Sequence, residues 1–487
     1  MSEDSLHYRG GPHLVDTTGD VELTTKKTDV GDEIDDVFQN EHPVDGLPEN
    51  HDTDTKHMIG SARTPWYGTT IVLLSEVMGT GILSLPYASK ILGWGTALVA
   101  LPLFAIIASY SGWLLWGVQQ ERSSLHSYAD AAKALVGPKF GSFTEISMLV
   151  SWGALAIYYM IAASDGLEDI ISSKMCQYQR TFLVVLILVV PCQCRDFYSI
   201  SKYLSLPSTL AIVFSVFIVA SNLLFFNTNE TPATTTVAPP SDTTLFDYLM
   251  ALSAFCFAYQ GQSIYLELIS EMKEPRHFPR AVNLSYAIMC LLYGLAVCVA
   301  YSVKGSEVPG FLPDILPQGS AARATVGALV VLHITVSYVI AGQPLHKWFH
   351  STFFPSTVEE ESKRASFHWF LVTFGYLLVG WVLSNCIPFF ADVQALIGSL
   401  FGAPIMFAWP VVFLVAALGG REILVNNNER FSWWKQGFRN LGWGHAAIGI
   451  FFLTICTPVF CILGTIGAIN SIVEDSAKAA IPPFHCE

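Results

Sequence analysis

Runs of about twenty apolar residues, the length that crosses a bilayer core, recur eleven times in this chain. They cover 68–89, 92–118, 143–172, 179–193, 203–226, 244–269, 281–303, 321–345, 366–388, 391–418 and 445–470. The fourth is short, and the eighth carries the most polar interruptions. Hydrocarbon offers no hydrogen bonds, so each run must satisfy its backbone internally, as a helix does. Charged residues are only 14% of the chain and hydrophobic ones 52%, where soluble domains average roughly 25% charged. The expectation is an all-α integral membrane protein with eleven transmembrane helices.

The first run contradicts its own surroundings. Ser75-Glu76-Val77-Met78-Gly79-Thr80-Gly81-Ile82-Leu83-Ser84-Leu85-Pro86 places an acid, two glycines and a proline inside a span. Glycine weakens a helix, and Pro86 has no N–H to close the bond to residue 82. Such a stretch is tolerated at membrane depth only where protein or a water-filled cavity satisfies the freed groups. One reading is a broken helix whose second half offers the N–H groups of Gly81, Ile82 and Leu83 to an anion. The other is a kinked helix with close packing at its glycines. The sixth run has a similar knot, Phe257-Ala258-Tyr259-Gln260-Gly261-Gln262-Ser263, near its middle. Runs one and six are the first members of two five-helix halves. Interruptions at matched positions of two halves point to a transport site between inverted repeats.

Lys and Arg fix the expected orientation. With the N-terminus in the cytoplasm, twenty of them fall in inner segments and six in outer ones. The loop after the fifth run is rich in Thr and Pro and carries the sequon Asn229-Glu230-Thr231, an acceptor for glycosylation on the outer side. The C-terminus is then outside or luminal. Residues 1–63 hold fifteen acids and five bases and few aromatics, which reads as a disordered cytoplasmic head. It has no apolar core of a signal peptide. Residues 64–470 form the helical domain and 471–487 a short outer tail. The formal charge of −14 lies largely in the head, and nothing offers a nucleic acid a surface. The ten cysteines lack metal-ligand spacing. Cys176 and Cys486 both fall in outer segments, which allows a disulfide between them.

These residues resemble a known family. Gly79-Thr80-Gly81-Ile82-Leu83-Ser84-Leu85-Pro86 is similar to the first-helix signature of the amino acid/auxin permeases. Glu271-Met272-Lys273-Glu274-Pro275-Arg276-His277-Phe278-Pro279-Arg280-Ala281 resembles that family's inner loop after helix six, and Ile387-Pro388-Phe389-Phe390 into Leu396-Ile397-Gly398-Ser399 its start of helix ten. The resemblance covers roughly 64–470. It implies the five-plus-five inverted-repeat fold of the bacterial leucine transporter, with one helix added. It also implies secondary active transport of amino acids by alternating access, driven by protons or sodium.

On that basis the substrate carboxylate meets the N–H groups of Thr80, Gly81 and Ile82, and its ammonium meets carbonyls near Met78, Gly79, Phe257, Ala258 and Gln260. Backbone carbonyls hold an ammonium without importing a second buried charge. Tyr158 and Tyr159 are adjacent, so at most one faces the site; Tyr158 is taken as a wall or gate. Glu76, an acid inside a span, marks an ion pathway or a structural pair with His333. Sodium-coupled relatives often carry asparagine beside this point, where this chain has Ser75, and the departure favours a proton. His333, Thr335 and Ser337 lie in the helix that shares an ion site with helix one in this fold, and the two hydroxyls suit sodium. Asn283 reads as a packing or a coupling amide. Asp165, Glu168 and Asp392 stand near span ends, within reach of water, and receive no role. The basic loop Lys273–Arg280 reads as a determinant of topology.

No cofactor or metal is expected beyond the coupling ion, and the partners are an amino acid and the bilayer. A sensor would use the same pocket and signal through the acidic head. An enzyme is disfavoured: no HExxH helix or GxSxG elbow is present. Plasma membrane and vacuolar or lysosomal membrane remain equal alternatives.

Overall fold

The computed structural model describes residues 64–171, 175–195, 197–226, 233–358, 360, 362–386, 390–420, 432–479 and 484. The acidic head, the sequon at Asn229, and Cys486 lie outside these residues. Cys176 is disulfide-bonded.

The described chain is helical, with one isolated bridge between Thr64 and Met272. In order, the helices are Trp66–Val77 (α1), Leu85–Glu121 (α2), Pro138–Ile171 (α3), Gln177–Val189 (α4), Phe197–Phe225 (α5) and Leu245–Tyr259 (α6). Tyr265–Glu271 (α7), Phe278–Lys304 (α8), Ala321–Phe353 (α9) and Lys363–Ser384 (α10) follow. Phe390–Leu418 (α11), which includes π-helical turns, Ser432–Leu441 (α12) and Trp443–Ala477 (α13) complete the described set, apart from a single helical turn at Tyr128–Ala131 after α2. Eight of them (α2, α3, α5, α8, α9, α10, α11 and α13) are long and apolar enough to cross a membrane. The other apolar runs are shorter pieces: α1 and α6 each stop at a break, and α4 has 13 residues.

The interrupted helices occupy the centre. α1 packs on α8 and α5, α6 packs on α2 and α11, and α9 lies along α3 and α5. α13 is the least buried long helix and runs along the rim. Large apolar side chains such as Val99, Ile106 and Leu291 point outward, as a lipid-facing surface requires. The buried side is equally apolar but is punctuated by polar groups, among them Ser75, Ser84, His333 and Gln394.

The expected boundary between the runs 68–89 and 92–118 is present: within Leu85–Glu121 two helical pieces meet at a kink at Gly93, with φ 71° and ψ 166°. The N–H groups freed there, on Trp94 and Gly95, donate to the carbonyls of Thr236 and Val237 at 2.9 and 2.8 Å. A Cβ at Gly93 would lie 2.6 Å from the Ala238 carbonyl oxygen, so only glycine accepts both the dihedral and the approach. The Thr/Pro-rich segment thus straps the kink in α2 to the end of α8, where Ser306 N–H donates to the Thr234 carbonyl at 3.0 Å. Asp392 differs from the sequence expectation. It does not reach water: it is 3% exposed and accepts from the Ser471 hydroxyl at 2.9 Å. It lies in the first turn of the regular α-helical stretch Phe390–Ile397 that opens α11, and α13 satisfies it inside the bundle.

The two ends of the bundle are held differently. At one end Lys90 donates to the Val308 carbonyl at 2.8 Å, beside the strap. At the other, Thr64 N–H donates to the Glu271 carbonyl and Lys273 N–H to the Thr64 carbonyl, both at 2.9 Å. The start of α1 is therefore stitched to the end of α7.

Candidate functional site

Both sequence interruptions are real breaks, and they touch. α1 closes its last turn with Met78 N–H on the Leu74 carbonyl at 3.2 Å. The chain then leaves the helix at Gly79, makes a 3₁₀ turn over Thr80–Leu83, and restarts at Leu85 with Pro86 in the first turn. Proline suits that place because the first-turn N–H has no helical partner. α6 ends at Tyr259; Gln260 is extended, and a 3₁₀ turn over Gln262–Ile264 leads into α7. A Cβ on Gly81 would lie 2.8 Å from Cα of Ala258. Glycine at 81 is therefore what lets the second break approach the first.

Free carbonyls at a helix end must find donors, and α8 supplies them. The Tyr293 hydroxyl donates to the Ala258 carbonyl at 2.9 Å and lies 3.4 and 3.3 Å from the carbonyl oxygens of Val77 and Met78. Two helical turns away, Tyr286 donates to the Tyr259 carbonyl at 2.9 Å and is bonded to Tyr265. One helix thus services the main chain of both breaks.

A cavity of about 60 Å³ opens beside them, room for a few waters. Glu76, Gly79, Gly81, Tyr159, Phe257 and Gln260 line it, and toward the Thr64 end so do Trp152, Glu267 and Pro344. Glu76 and Glu267 are the charged groups of this lining. Glu76 Oε2 is buried with no hydrogen-bond partner.

On the opposite side the path is blocked. Tyr158 packs edge-on against Phe257, with centroids 4.9 Å apart, and stacks on Phe390 at 4.8 Å. Its hydroxyl donates to Gln394 Oε1 at 2.7 Å, and Ser84 donates to the same oxygen at 2.5 Å. Of the adjacent tyrosines, Tyr159 lines the cavity and Tyr158 belongs to this aromatic plug.

The other expected site residues fall into two groups. His333 is fully buried: Nδ1 bonds to Ser208 Oγ at 2.8 Å, and Nε2, without a partner, faces Gly79, whose Cβ would lie 3.7 Å away. Ser337 donates to the Ser75 carbonyl at 3.5 Å, and Ser75 Oγ is buried without a partner. These groups surround the end of α1. Thr335 does not join them: its hydroxyl donates to Val331 within α9, and the residue lines a separate groove with Tyr203 and Val339. Asn283 is exposed on α8 and accepts from Trp113 at 3.0 Å. Glu76 and His333 form no pair; each has its own surroundings.

Sequence reasoning missed Tyr286, Tyr293, Gln394, Trp152 and Glu267. The tyrosines stand seven apart, on one face of an apolar helix, and Gln394 is an amide in an apolar run; both are polar signals in a span. Glu267 sits just past the second knot, where an acid reads as a helix-end charge.

Residues 62–426 match the family described as transmembrane amino acid transporter protein. Amino acid transporter AVT1C of Arabidopsis thaliana is 25% identical over 361 residues, covering 71% of this chain and 62% of that one. The chain thus spans about three fifths of that relative. Lysine histidine transporter-like 1 of Arabidopsis thaliana is 23% identical over 461 residues, 90% of this chain and 94% of its own. Vesicular inhibitory amino acid transporter of Xenopus tropicalis is 26% identical over 362 residues, 70% and 68%. The crystal structure of MhsT in complex with L-phenylalanine superposes with a TM-score of 0.55 at 14% identity, covering 84% of this chain and all of that chain. The fold is shared.

Proposed function

The chain belongs to the transmembrane amino acid transporter family, whose members are transporters rather than enzymes, and from that premise we propose that it is a secondary active, proton-coupled amino acid transporter. The observation that carries this reading is the contact between two broken helices beside a cavity that is blocked on one side. Main-chain groups freed at membrane depth suit the part common to all amino acids. N–H groups of Thr80, Gly81 and Ile82 receive the carboxylate, and carbonyls around Met78, Gly79, Phe257, Ala258 and Gln260 the ammonium.

The N-terminus is cytoplasmic, the C-terminus outside or luminal, and the chain crosses eleven times, in a plasma or a vacuolar or lysosomal membrane. The aromatic plug is then on the outer side, and the cavity leads inward. Inverted five-helix repeats are supported by matched packing: α1 rests on α5 and α8, and α6 on α11 and α2. Alternating access would open the plug and close the cavity toward the Thr64 end. The cavity is too small for an amino acid, so binding requires that rearrangement. Asn229 lies on the outer side as a glycosylation site.

Glu76 is the coupling group. It faces the cavity, and its second oxygen is buried without a donor, so a proton can come and go without displacing a bond. His333, with its free Nε2 toward Gly79, is the second carrier. A sodium reading rests on Ser75 and Ser337 at the end of α1, with Thr335 contributing only after α9 rotates.

The test is amino acid uptake into liposomes under separate proton and sodium gradients, for wild type and Glu76→Gln. A proton gradient alone should drive accumulation, and the variant should retain only exchange. Strict sodium dependence with a variant that still concentrates substrate would move coupling to Ser75 and Ser337. Ligand-dependent binding of a cytoplasmic protein without net uptake would favour a sensor.

A further inference from the structure

At the plugged end, three segments meet on one guanidinium. Arg323, in the first turn of α9, is 7% exposed. Its Nε donates to Asp169 of α3 at 2.5 Å, its Nη1 to the Leu316 carbonyl at 3.2 Å, and its Nη2 to Asp314. Asp314 lies in the 3₁₀ turn Leu312–Ile315. The residue just before that turn, Phe311, packs edge-on against Phe390 at 5.1 Å. Phe390 in turn stacks on Tyr158, which closes the path over the cavity.

We propose that Arg323 is a positioning residue for the transport cycle: through Asp314 it holds Phe311 down on the aromatic plug, and release of that one contact is a step in opening the outer path.

The two ion pairs of Arg323 differ in a way that suits a fixed end and a free end. The Asp169 side chain is 0% exposed, and removing one partner of such a pair strands a buried charge. Asp314 is 42% exposed, so water can replace its partner at little cost. Arg323 therefore stays on α3 while the turn can leave. The turn carries no side chain of the cavity lining, and its contact with the plug runs through Phe311 and Phe390.

The surroundings give the latch a pH dependence. Asp314 meets Arg323 from α9, and Asp165, Glu168 and Asp169 from α3; Glu168 is itself paired to Arg180 of α4 at 2.7 Å. Burial pushes the Asp314 carboxyl above its ordinary range, Arg323 pulls it back, and Glu168 adds to the rise. As outer pH falls, Asp314 therefore takes up its proton sooner than an exposed aspartate would, and the latch loosens.

The proposal rests on the transporter reading for the meaning of opening, but its test does not require transport. Val393→Cys, a buried position one helical turn from Phe390 that leaves the Phe311, Phe390 and Tyr158 rings in place, in full-length protein with Cys386→Ser, is reacted with a hydrophilic maleimide in detergent at several pH values; the parent without the new cysteine is the blank. Asp314→Asn should speed modification by about fivefold at neutral pH, the upper end for a half-exposed ion pair. Divided by the rate of the same sample denatured at each pH, which removes the thiolate's own pH dependence, its rate should be flat with pH, whereas that of the otherwise native chain should rise as pH falls. Arg323→Lys, which keeps the charge but loses the fork, should fall between. In liposomes Asp314→Asn should lower KM for substrate added outside. An unchanged rate in Asp314→Asn, or the same pH profile as the parent, overturns the proposal. A rate that changes as expected in a chain that moves no amino acid supports the latch and removes the transporter reading instead.

Discussion

The Tyr293 hydroxyl donates to the Ala258 carbonyl at 2.9 Å while standing 3.3 Å from that of Met78, so one phenol joins the two interrupted helices. The bond lies in the protein interior, where a carbonyl without a donor costs far more than in water. Tyr293→Phe keeps the ring packing against Tyr259 and removes only the donor. The variant should lose about 1–3 kcal/mol of stability, read as a lower denaturation midpoint in detergent, together with most uptake. A native midpoint would mean that water takes the place of the hydroxyl.

Gly81 should tolerate nothing larger. In Gly81→Ala the new methyl meets Cα of Ala258 at 2.8 Å and its Cβ at 2.9 Å. The breaks must separate, and uptake should vanish while the protein still folds and elutes as a single species. Adding Ala258→Gly removes the Cβ contact but leaves the one to Cα, so the double variant should stay inactive. Recovery in the double variant would show that the side chains, not the main chains, set the separation.

Gln394 should matter more than either hydroxyl it serves. Its Oε1 accepts from Ser84 and Tyr158, and its Nε2 donates to the Ala254 carbonyl at 3.4 Å. Gln394→Leu removes the acceptor that the Ser84 and Tyr158 hydroxyls share, at about 1–3 kcal/mol per buried group, and should weaken the plug. Tyr158→Phe removes a single donor and should be milder. The readout is uptake together with maleimide access to Val393→Cys, one helical turn from Phe390; equal effects in the two variants would argue against a shared acceptor.

The breaks were legible in the sequence because glycine, proline and an acid have no local reason to stand in an apolar span. Gly79-Thr80-Gly81 and Tyr259-Gln260-Gly261 announce the loss of helix by composition alone. What services them was not legible. Tyr293 reads as one aromatic among many until α8 is laid against α1 and α6. The plug joins Ser84, Tyr158 and Gln394, residues up to 310 positions apart, and no local pattern encodes such a meeting. Asp392 misled for a related reason: its place in the sequence says span end, but its satisfaction by Ser471 depends on α13 packing beside it. The boundary near Gly93 was legible as a gap between two apolar runs, but the Thr236 and Val237 carbonyls that take up its lost hydrogen bonds lie far along the chain and were not.

The breaks expose main chain rather than side chains, and main chain is not rewritten by codon change. Substitutions in a lineage can enlarge, shrink or recharge the walls at Trp152, Tyr159, Ile340 and Ile405, all of which border the cavity. The carbonyls of Val77, Met78 and Ala258 stay where Tyr293 and the 81–258 contact hold them. On the proposed reading, heritable variation is thereby channelled into preference among cargoes, while the grip on what every cargo shares is inherited intact.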